Sequence, residues 1–268
     1  MTVRAMTGAE RVAAAFARAR EERRLALVTY LVVGYPDLAT SDALVRAAID
    51  AGADVVELGV PFSDPLADGA TIQRASERAL ANGVRIDDVL RVGAEVARAH
   101  ETPLLLMGYA NPFYAYGLAR LAREAVALGL AGFIVPDLPA EEAGELEAAC
   151  AEHGLVRVSL VAPTTPEERL ARIVPGCAGF VYCVSVTGVT GARAALSAEV
   201  AEFVERVRRH ARVPVAVGFG ISAPEHVRAL AGVADGIVVG SALADAIASG
   251  GDPVASLRAA VASLRSAC

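Results

Sequence analysis

The feature that most constrains the fold of this chain is a regular alternation of short apolar runs with longer amphipathic runs. The longer runs, such as SDALVRAAIDAG and APEHVRALAG, carry apolar residues at helical spacing. This alternation predicts parallel strands that are joined by right-handed helical crossovers. The predicted strands are Leu25–Val33, Val55–Leu58, Pro103–Met107, Gly132–Val135, Val156–Val161, Phe180–Ser185, Val215–Gly218 and Gly236–Val239.

Eight such units predict an α/β fold in which the sheet closes into a (β/α)8 TIM barrel. One barrel accounts for the full length of 268 residues, so a single domain over residues 1–268 is expected. An extra N-terminal helix, before the first strand, is expected to cover the bottom of the barrel. An open doubly wound sheet is the alternative, but no G-x-G-x-x-G fingerprint follows the first strand.

Composition excludes several classes of partner. The net charge is −6 and there is no basic block, which argues against nucleic acid and anionic membrane. No apolar run reaches the roughly 18 residues of a membrane span. The four cysteines are scattered, which favours a reducing, cytoplasmic location. The four histidines lack metal-ligand spacing, so no metal site is expected.

Glycine-rich segments follow the last three predicted strands: VSVTGVTGAR, GFGIS and GSAL. Active sites of such barrels lie at the C-terminal ends of the strands, and the loops after strands 7 and 8 commonly bind phosphate. Backbone N–H groups at a helix start favour an anion. Ser241 is expected to cap the last helix and to donate to the phosphate. The alternative is that these glycines only form tight turns.

Glu57 lies inside the apolar strand VVELGV. An inward-facing carboxyl among Val and Leu is desolvated, which raises its pKa and suits it to proton transfer near neutral pH. The alternative is a structural carboxylate paired with an inward arginine, for which Arg157 is the candidate. Asp64 and Asp68 follow in the loop PFSDPLADG, where each is also explained as an ordinary turn residue.

A set of large apolar side chains near strand ends predicts a pocket for a flat apolar ligand, with core packing as the alternative. The set is Tyr30, Met107, Tyr109, Tyr182 and Phe219.

The motifs ELGVPFSDPLADGATIQ, MGYANPF, FIVPDLP, VAPTTP, VYCVSVTGVTGAR, VPVAVGFGIS and ADGIVVGSAL occur in this order. From about Tyr30 to Leu243 the chain resembles the tryptophan synthase alpha subunit family. The resemblance implies a (β/α)8 barrel that cleaves indole-3-glycerol phosphate into indole and glyceraldehyde 3-phosphate by a retro-aldol reaction. It implies that Glu57 transfers protons between the side-chain hydroxyl and the ring carbon. It also implies that Asp68 holds the indole N–H and stabilises positive charge on the ring.

The resemblance implies further sites. Thr190 matches the threonine of a mobile loop, while Asn111 and Asp137–Pro139 match segments that contact a beta subunit. That subunit is expected to carry pyridoxal phosphate, with no cofactor in this chain, and to form an α2β2 complex. The implied phosphate-binding residues are Gly191, Gly220, Gly240 and Ser241. The implied indole pocket consists of Tyr30, Ile72, Met107, Ile134, Tyr182 and Phe219.

The chain departs from the family pattern at Thr29, Val33 and Ala70, which are expected beside the pocket and the acidic loop. Two other functions within the same fold remain: a stand-alone lyase that releases free indole, and an inactive barrel that only activates a partner. A phosphosugar isomerase on a similar barrel is a more distant alternative, because it gives no reason for an apolar pocket.

Overall fold

The architecture is a closed barrel of parallel strands with helices around it. The computed structural model describes residues 6–184, 193–218 and 220–268, with side chains from residue 198 onward in the second range. Within that part of the chain every strand pairs in parallel with its sequence neighbours, and β1 pairs with β8. The predicted barrel is confirmed and the open sheet is wrong. The strands are β1 (Ala26–Val32), β2 (Val55–Gly59), β3 (Leu104–Met107), β4 (Gly132–Ile134), β5 (Val156–Val161), β6 (Val181–Val184), β7 (Val215–Gly218) and β8 (Gly236–Val239).

Helices connect the strands, and short 3₁₀ turns at Ala140–Glu142 and Val174–Gly176 complete two of the connections. The α-helices of the described residues are α1 (Gly8–Glu21), α2 (Leu38–Asp50), α3 (Ala70–Ala81), α4 (Ile86–Ala97), α5 (Ala110–Tyr116), α6 (Leu118–Ala127), α7 (Gly144–His153), α8 (Glu167–Ile173), α9 (Arg193–Arg208), α10 (Pro224–Ala229), α11 (Ser241–Ala248) and α12 (Pro253–Arg265).

The predicted strand limits agree with the structure to within about one residue. Strand β3 begins at Leu104 rather than at Pro103, because proline has no N–H to donate to the ladder. The carbonyl of Pro103 still accepts a hydrogen bond from the N–H of Val56. Strand β2 extends one residue further, to Gly59, whose carbonyl accepts from the N–H of Val33.

Helix α1 closes the bottom of the barrel, as predicted. It begins with a capping box, in which Thr7 and Glu10 satisfy each other's backbone N–H groups. The ring of Phe16 packs on Phe180 at the start of β6, with ring centroids 5.3 Å apart. Active sites of such barrels lie at the C-terminal ends of the strands, so the mouth opposite α1 is where a ligand is expected.

The inner and outer faces of the strands follow the two-residue alternation of β structure. Val28 and Val55 belong to the apolar cluster inside the barrel, whereas Leu27 and Leu58 pack against the surrounding helices. Along the described residues, no helix combines the length and apolar character needed to cross a membrane.

Candidate active site at the barrel mouth

Glu57 projects into the barrel from β2, on the same face as Val55. It is fully buried, and neither carboxylate oxygen has a hydrogen-bond partner among the described residues. Its neighbours in register are Tyr30 on β1 and Leu105 on β3. Desolvation raises the pKa of Glu57 to about 8. The carboxyl therefore carries a proton at neutral pH, and its pKa is close enough to neutral for it to exchange that proton.

Arg157 does not neutralise this carboxyl. Its neighbours Val156 and Val158 face the barrel interior, so Arg157 faces outward from β5. There its Nε and Nη2 donate to Oε1 of Glu147 on α7, at 3.0 and 2.8 Å. The alternative in which Glu57 is one half of an ion pair with Arg157 is therefore wrong.

Asp68 lies in the loop between β2 and α3, with its carboxylate directed toward the barrel mouth. Its Oδ2 accepts a hydrogen bond from Tyr109 Oη at 3.1 Å. Burial raises the pKa of Asp68 to about 6, and the Tyr109 hydrogen bond opposes that rise. Asp64, by contrast, is exposed and bonds to the adjacent Ser63 hydroxyl. The structure thus separates the two loop acids: Asp68 faces the site and Asp64 is a turn residue.

Two buried tyrosines lie over glycines of the neighbouring strands at the mouth. A Cβ at Gly59 would lie 2.6 Å from Tyr30 Oη, and one at Gly218 would lie 2.5 Å from Tyr182 Oη. Only glycine leaves space for these phenol rings. Burial raises the pKa of both tyrosines well above the usual range of a phenol, so both side chains remain neutral.

A cavity of about 320 Å³ opens between the C-terminal ends of β3, β5 and β6 and the segments that follow β2, β4 and β5. Its volume is at the lower end of small-molecule sites. Glu57, Tyr30, Ile72 and Ile134 are buried and do not lie on its wall. The wall includes the predicted Asp68, Met107 and Tyr182, together with Ala67, Pro136, Leu160, Val161, Ala162, Thr164, Thr165, Arg169, Ile173 and Val184.

Leu160 and Val184 are pocket residues that the sequence analysis missed. Strand alternation provides the signal, because Leu160 shares the inward face of β5 with Val158, and Val184 shares that of β6 with Tyr182. Arg169 was missed for a different reason. It lies on α8, where its guanidinium pairs with Glu141, and its side chain also lines the cavity. No local sequence pattern predicts that a residue of α8 reaches the cavity.

Three of the predicted phosphate residues, Gly220, Gly240 and Ser241, lie at the same end of the barrel. Gly220 is exposed and has φ +76°, the left-handed conformation that favours glycine. Ser241 is exposed and is the first residue of α11, which follows the C-terminal end of β8. The expectation that Ser241 caps the last helix is corrected. The N-cap of α11 is Gly240, and the last helix is α12.

Thr190, Gly191 and Phe219 lie outside the described residues. The rim residues Asn111 and Asp137 are exposed, and Asp137 Oδ1 accepts from the N–H of Ala110 at 2.8 Å. Among the described residues, no group of three or more His, Cys, Asp or Glu side chains is arranged to hold a metal ion.

The three departures from the family pattern occupy different environments. Ala70 is exposed and begins α3, beside the acidic loop as expected. Val33 is buried just after β1. Thr29, however, lies on the helix-facing side of β1, opposite to Tyr30, and its hydroxyl has no partner among the described residues. Thr29 therefore lies behind the strand and not in the pocket, which corrects that expectation.

Comparison with known proteins places this geometry in a family. A family model described as tryptophan synthase alpha chain matches residues 16–266. The tryptophan synthase alpha chain of Roseiflexus castenholzii is 54% identical over 238 residues, covering 88% of this chain and 91% of that protein.

Solved structures show the same similarity. Tryptophan synthase subunit alpha from Legionella pneumophila superposes with a TM-score of 0.89 at 37% identity, covering 98% of both chains. A chain of Mycobacterium tuberculosis tryptophan synthase gives a TM-score of 0.89 at 42% identity, covering 96% of this chain and 97% of that one.

Proposed function

Because the chain belongs to the tryptophan synthase alpha chain family and is a lyase of indole-3-glycerol phosphate in tryptophan biosynthesis, we propose that Glu57 and Asp68 carry out the cleavage. The observation that supports this assignment is the contrast between the two carboxyls. Glu57 is desolvated and holds its proton to about pH 8, whereas Asp68 accepts a hydrogen bond at the mouth and loses its proton near pH 6. When two carboxyls have different pKa values, one can act as an acid while the other acts as an anion in the same reaction.

The proposed reaction uses Glu57 twice. The protonated carboxyl of Glu57 first gives its proton to C3 of the indole ring, and the ring nitrogen becomes positively charged. The resulting carboxylate then removes the proton of the side-chain hydroxyl, and the carbon–carbon bond breaks. Its electrons return to the ring, which leaves indole and glyceraldehyde 3-phosphate, with Glu57 protonated again. Asp68 accepts the hydrogen bond of the ring N–H and stabilises the intermediate positive charge.

Glu57 must turn toward the cavity to reach its substrate, because it lies below the cavity wall. Its carboxylate oxygens have no hydrogen-bond partner among the described residues. The carboxyl can therefore rotate toward the cavity without losing a hydrogen bond to any of them. The flat ring of the substrate fits between Met107, Leu160 and Tyr182, which supply apolar wall at the ends of β3, β5 and β6. In this proposal Ile72, Ile134 and Tyr30 support that wall from behind.

The phosphate group is proposed to bind at Gly220, Gly240 and Ser241, with Gly191 contributing from the preceding loop. Gly240 and Ser241 begin α11, where backbone N–H groups point outward and favour an anion. This grip needs no basic side chain. A Cβ at Gly240 would lie 3.0 Å from Tyr30 Cδ1, so this glycine also allows the strand end and the tyrosine to approach closely.

The partner is proposed to be a beta subunit that carries pyridoxal phosphate and converts the indole, in an α2β2 complex in the cytoplasm. The support is the family membership and the exposed rim residues Asn111 and Asp137, which flank the mouth. The four free cysteines are compatible with a reducing compartment. A partner that binds the closed mouth more tightly than the open one would raise the rate, and substrate would in turn tighten the complex.

The proposal is tested by measuring indole release from indole-3-glycerol phosphate, alone and with saturating beta subunit. We expect slow release alone, faster release with the partner, and losses of about 10²–10⁴-fold in Glu57→Gln and Asp68→Asn. Glu77→Gln, an exposed change on α3, serves as the control.

Three results would contradict parts of the proposal. A rate unchanged by the beta subunit would indicate a stand-alone lyase. No release in either condition would indicate an inactive barrel that only activates its partner. Near-normal rates in the two carboxyl variants would exclude these residues from the chemistry.

A further inference from the structure

We propose that Tyr109 is a positioning residue for the lyase reaction, one that holds the carboxylate of Asp68 and the loop carrying it in a single arrangement. This inference rests on the role proposed above for Asp68. Tyr109 follows β3 by two residues, and the loop that it contacts lies about forty residues earlier in the chain, so the link is purely tertiary.

One hydroxyl group joins Tyr109 to two successive residues of the loop. Tyr109 Oη donates to Asp68 Oδ2 at 3.1 Å and accepts from the N–H of Ala67 at 3.0 Å. The first bond orients the carboxylate and the second holds the backbone immediately before it. A phenol in this position therefore acts as a two-point clamp on the proposed anionic group.

The loop has few other attachments. Leu66 at its tip is 92% exposed, so the loop is not anchored by burying that side chain. Among hydrogen bonds between described residues, those that join residues 63–68 to other segments come from Tyr109 and from Gln73, whose Nε2 donates to the Asp68 carbonyl. Within the described part of the chain, only the Tyr109 bonds reach residues 63–68 from another β–α unit.

Tyr109 itself is held from two directions. Its side chain is buried, and its ring packs on Phe62 with centroids 5.3 Å apart. The N–H of the next residue, Ala110, donates to Asp137 Oδ1 at 2.8 Å. Burial of the ring and the Ala110–Asp137 bond hold Tyr109 from outside the β2–α3 loop, whereas Phe62 contacts it from the start of that loop.

The same hydroxyl affects the charge of Asp68. Burial raises the pKa of Asp68 to about 6, and the hydrogen bond from Tyr109 lowers it, because a donor stabilises the anion. The other ionisable groups that face Asp68 are Tyr30 and Tyr182, which are neutral, and Arg169 across the cavity.

Asp137 and Glu57 complete the charged surroundings. Burial raises the pKa of the Tyr109 phenol, and the charges of Asp68 and Asp137 raise it further. Glu57 lies deeper in the barrel and is protonated below about pH 8. Without the Tyr109 hydroxyl, desolvation of Asp68 is unopposed, and we expect its proton to be retained to a higher pH.

The variant Tyr109→Phe removes the hydroxyl and keeps the ring. Since Asp68 must be ionised, the acid limb of the kcat/KM profile for indole release should move up by about one pH unit. At pH 6 the loss should be roughly fivefold, and it should approach tenfold well below pH 6. In an Asp68→Asn background, Tyr109→Phe should change kcat/KM by less than about twofold, because the hydroxyl acts through that carboxylate.

Tyr116→Phe is the matched control. The Tyr116 hydroxyl also hydrogen-bonds to carboxylates, those of Asp87 and Glu124 at 2.8 and 2.6 Å, but away from the mouth. Its removal should leave the pH profile unmoved. An acid limb that stays in place in Tyr109→Phe, or moves equally in Tyr116→Phe, would overturn the proposal.

A readout without catalysis separates this proposal from the proposed function. The ¹³C resonance of the Asp68 carboxyl, assigned by its loss in Asp68→Asn, reports the titration directly. Tyr109→Phe should raise that pKa by about one unit even if the wild-type chain releases no indole. An unchanged midpoint would overturn the positioning role, whereas inactivity of the wild type would overturn only the proposed function.

Discussion

At the scale of single residues, the chemistry of the barrel depends on where a carboxyl is placed relative to water. Glu57 is fully buried and has no hydrogen-bond partner among the described residues, so its neutral form is favoured. Asp68 is only partly desolvated and has a donor, so its anion is accessible near neutral pH. Two residues eleven positions apart thus have opposite protonation states without any metal or basic group touching them in the described structure.

The raised pKa of Glu57 makes stability depend on pH. The unfolded chain releases this proton near pH 4.5, whereas the folded chain keeps it to about pH 8. Between these values the folded state binds more protons, so the wild type should lose stability as pH rises through this window. Glu57→Gln should gain stability relative to wild type from pH 4.5 to 8, by at most about 4 kcal/mol. Urea unfolding at pH 5 and pH 8 measures the difference.

Glu77→Gln is the control for this pH experiment, because Glu77 is exposed on α3. Its stability difference from wild type should be the same at both pH values. If Glu57→Gln also showed a constant difference, Glu57 would not be the buried, protonated group that the structure indicates.

At the scale of elements, α3 is the helix that directly follows the acidic loop. The helix begins at Ala70, directly after Gly69, and its N-cap has no side-chain hydrogen bond. Helices α10 and α12 instead begin with a proline, Pro224 and Pro253, at the position where the missing N–H is not needed. Helix α3 has alanine, not proline, at its first position.

Ala70→Pro should stabilise the chain by about 0.4–1 kcal/mol, because proline restricts the unfolded state at a position compatible with its fixed φ. Gly69 has φ −73° and ψ 163°, the extended conformation that a residue before proline prefers. Ala70→Gly should have the opposite sign, with a loss of similar size. Denaturant unfolding of both variants checks this. A proline variant less stable than wild type would show that Ala70 is not at the first helical position.

At the scale of the whole molecule, the two ends of the barrel have separate tasks. The mouth holds the cavity, while the bottom holds a nearly buried ion pair in which Arg24 donates to both oxygens of Asp54, at 2.7 and 2.8 Å. Asp54 also accepts from the N–H of Leu27 on β1. Next to this pair, the carbonyl of Cys268 accepts from the N–H of Leu25, which joins the last described residue to the first strand.

Asp54→Asn should lower the free energy of unfolding by about 1.5–3 kcal/mol, because it removes the carboxylate that accepts two hydrogen bonds from Arg24 and leaves the exposed Glu22 as the remaining counter-charge. The rate of indole release measured well below the unfolding transition should stay unchanged, since bottom residues serve stability. Asp50→Asn is the matched control. It breaks the exposed Arg258–Asp50 pair at 3.4 Å and should cost no more than about 0.5 kcal/mol. Equal losses in the two variants, or a fall in rate for Asp54→Asn, would contradict this division.

The sequence by itself determined the barrel, its strands to within about one residue and the inward position of Glu57. These features depend on the alternation of neighbouring residues, which every strand and helix carries locally. The glycines at strand ends were likewise predictable, because their loops follow directly from the strand order. The family motifs then indicated the roles of Glu57 and Asp68, which no periodicity distinguishes from a structural carboxylate or a turn residue.

Only the tertiary structure decided which of these residues meet. It paired Arg157 with Glu147 instead of Glu57, placed Thr29 behind its strand, and brought Tyr109 onto Asp68. Leu160 and Val184 became a pocket wall because β5 and β6 end beside the same cavity. The physical reason is range. Backbone and burial preferences act between near neighbours in the chain, whereas a hydrogen bond between residues forty positions apart exists only after the barrel has closed.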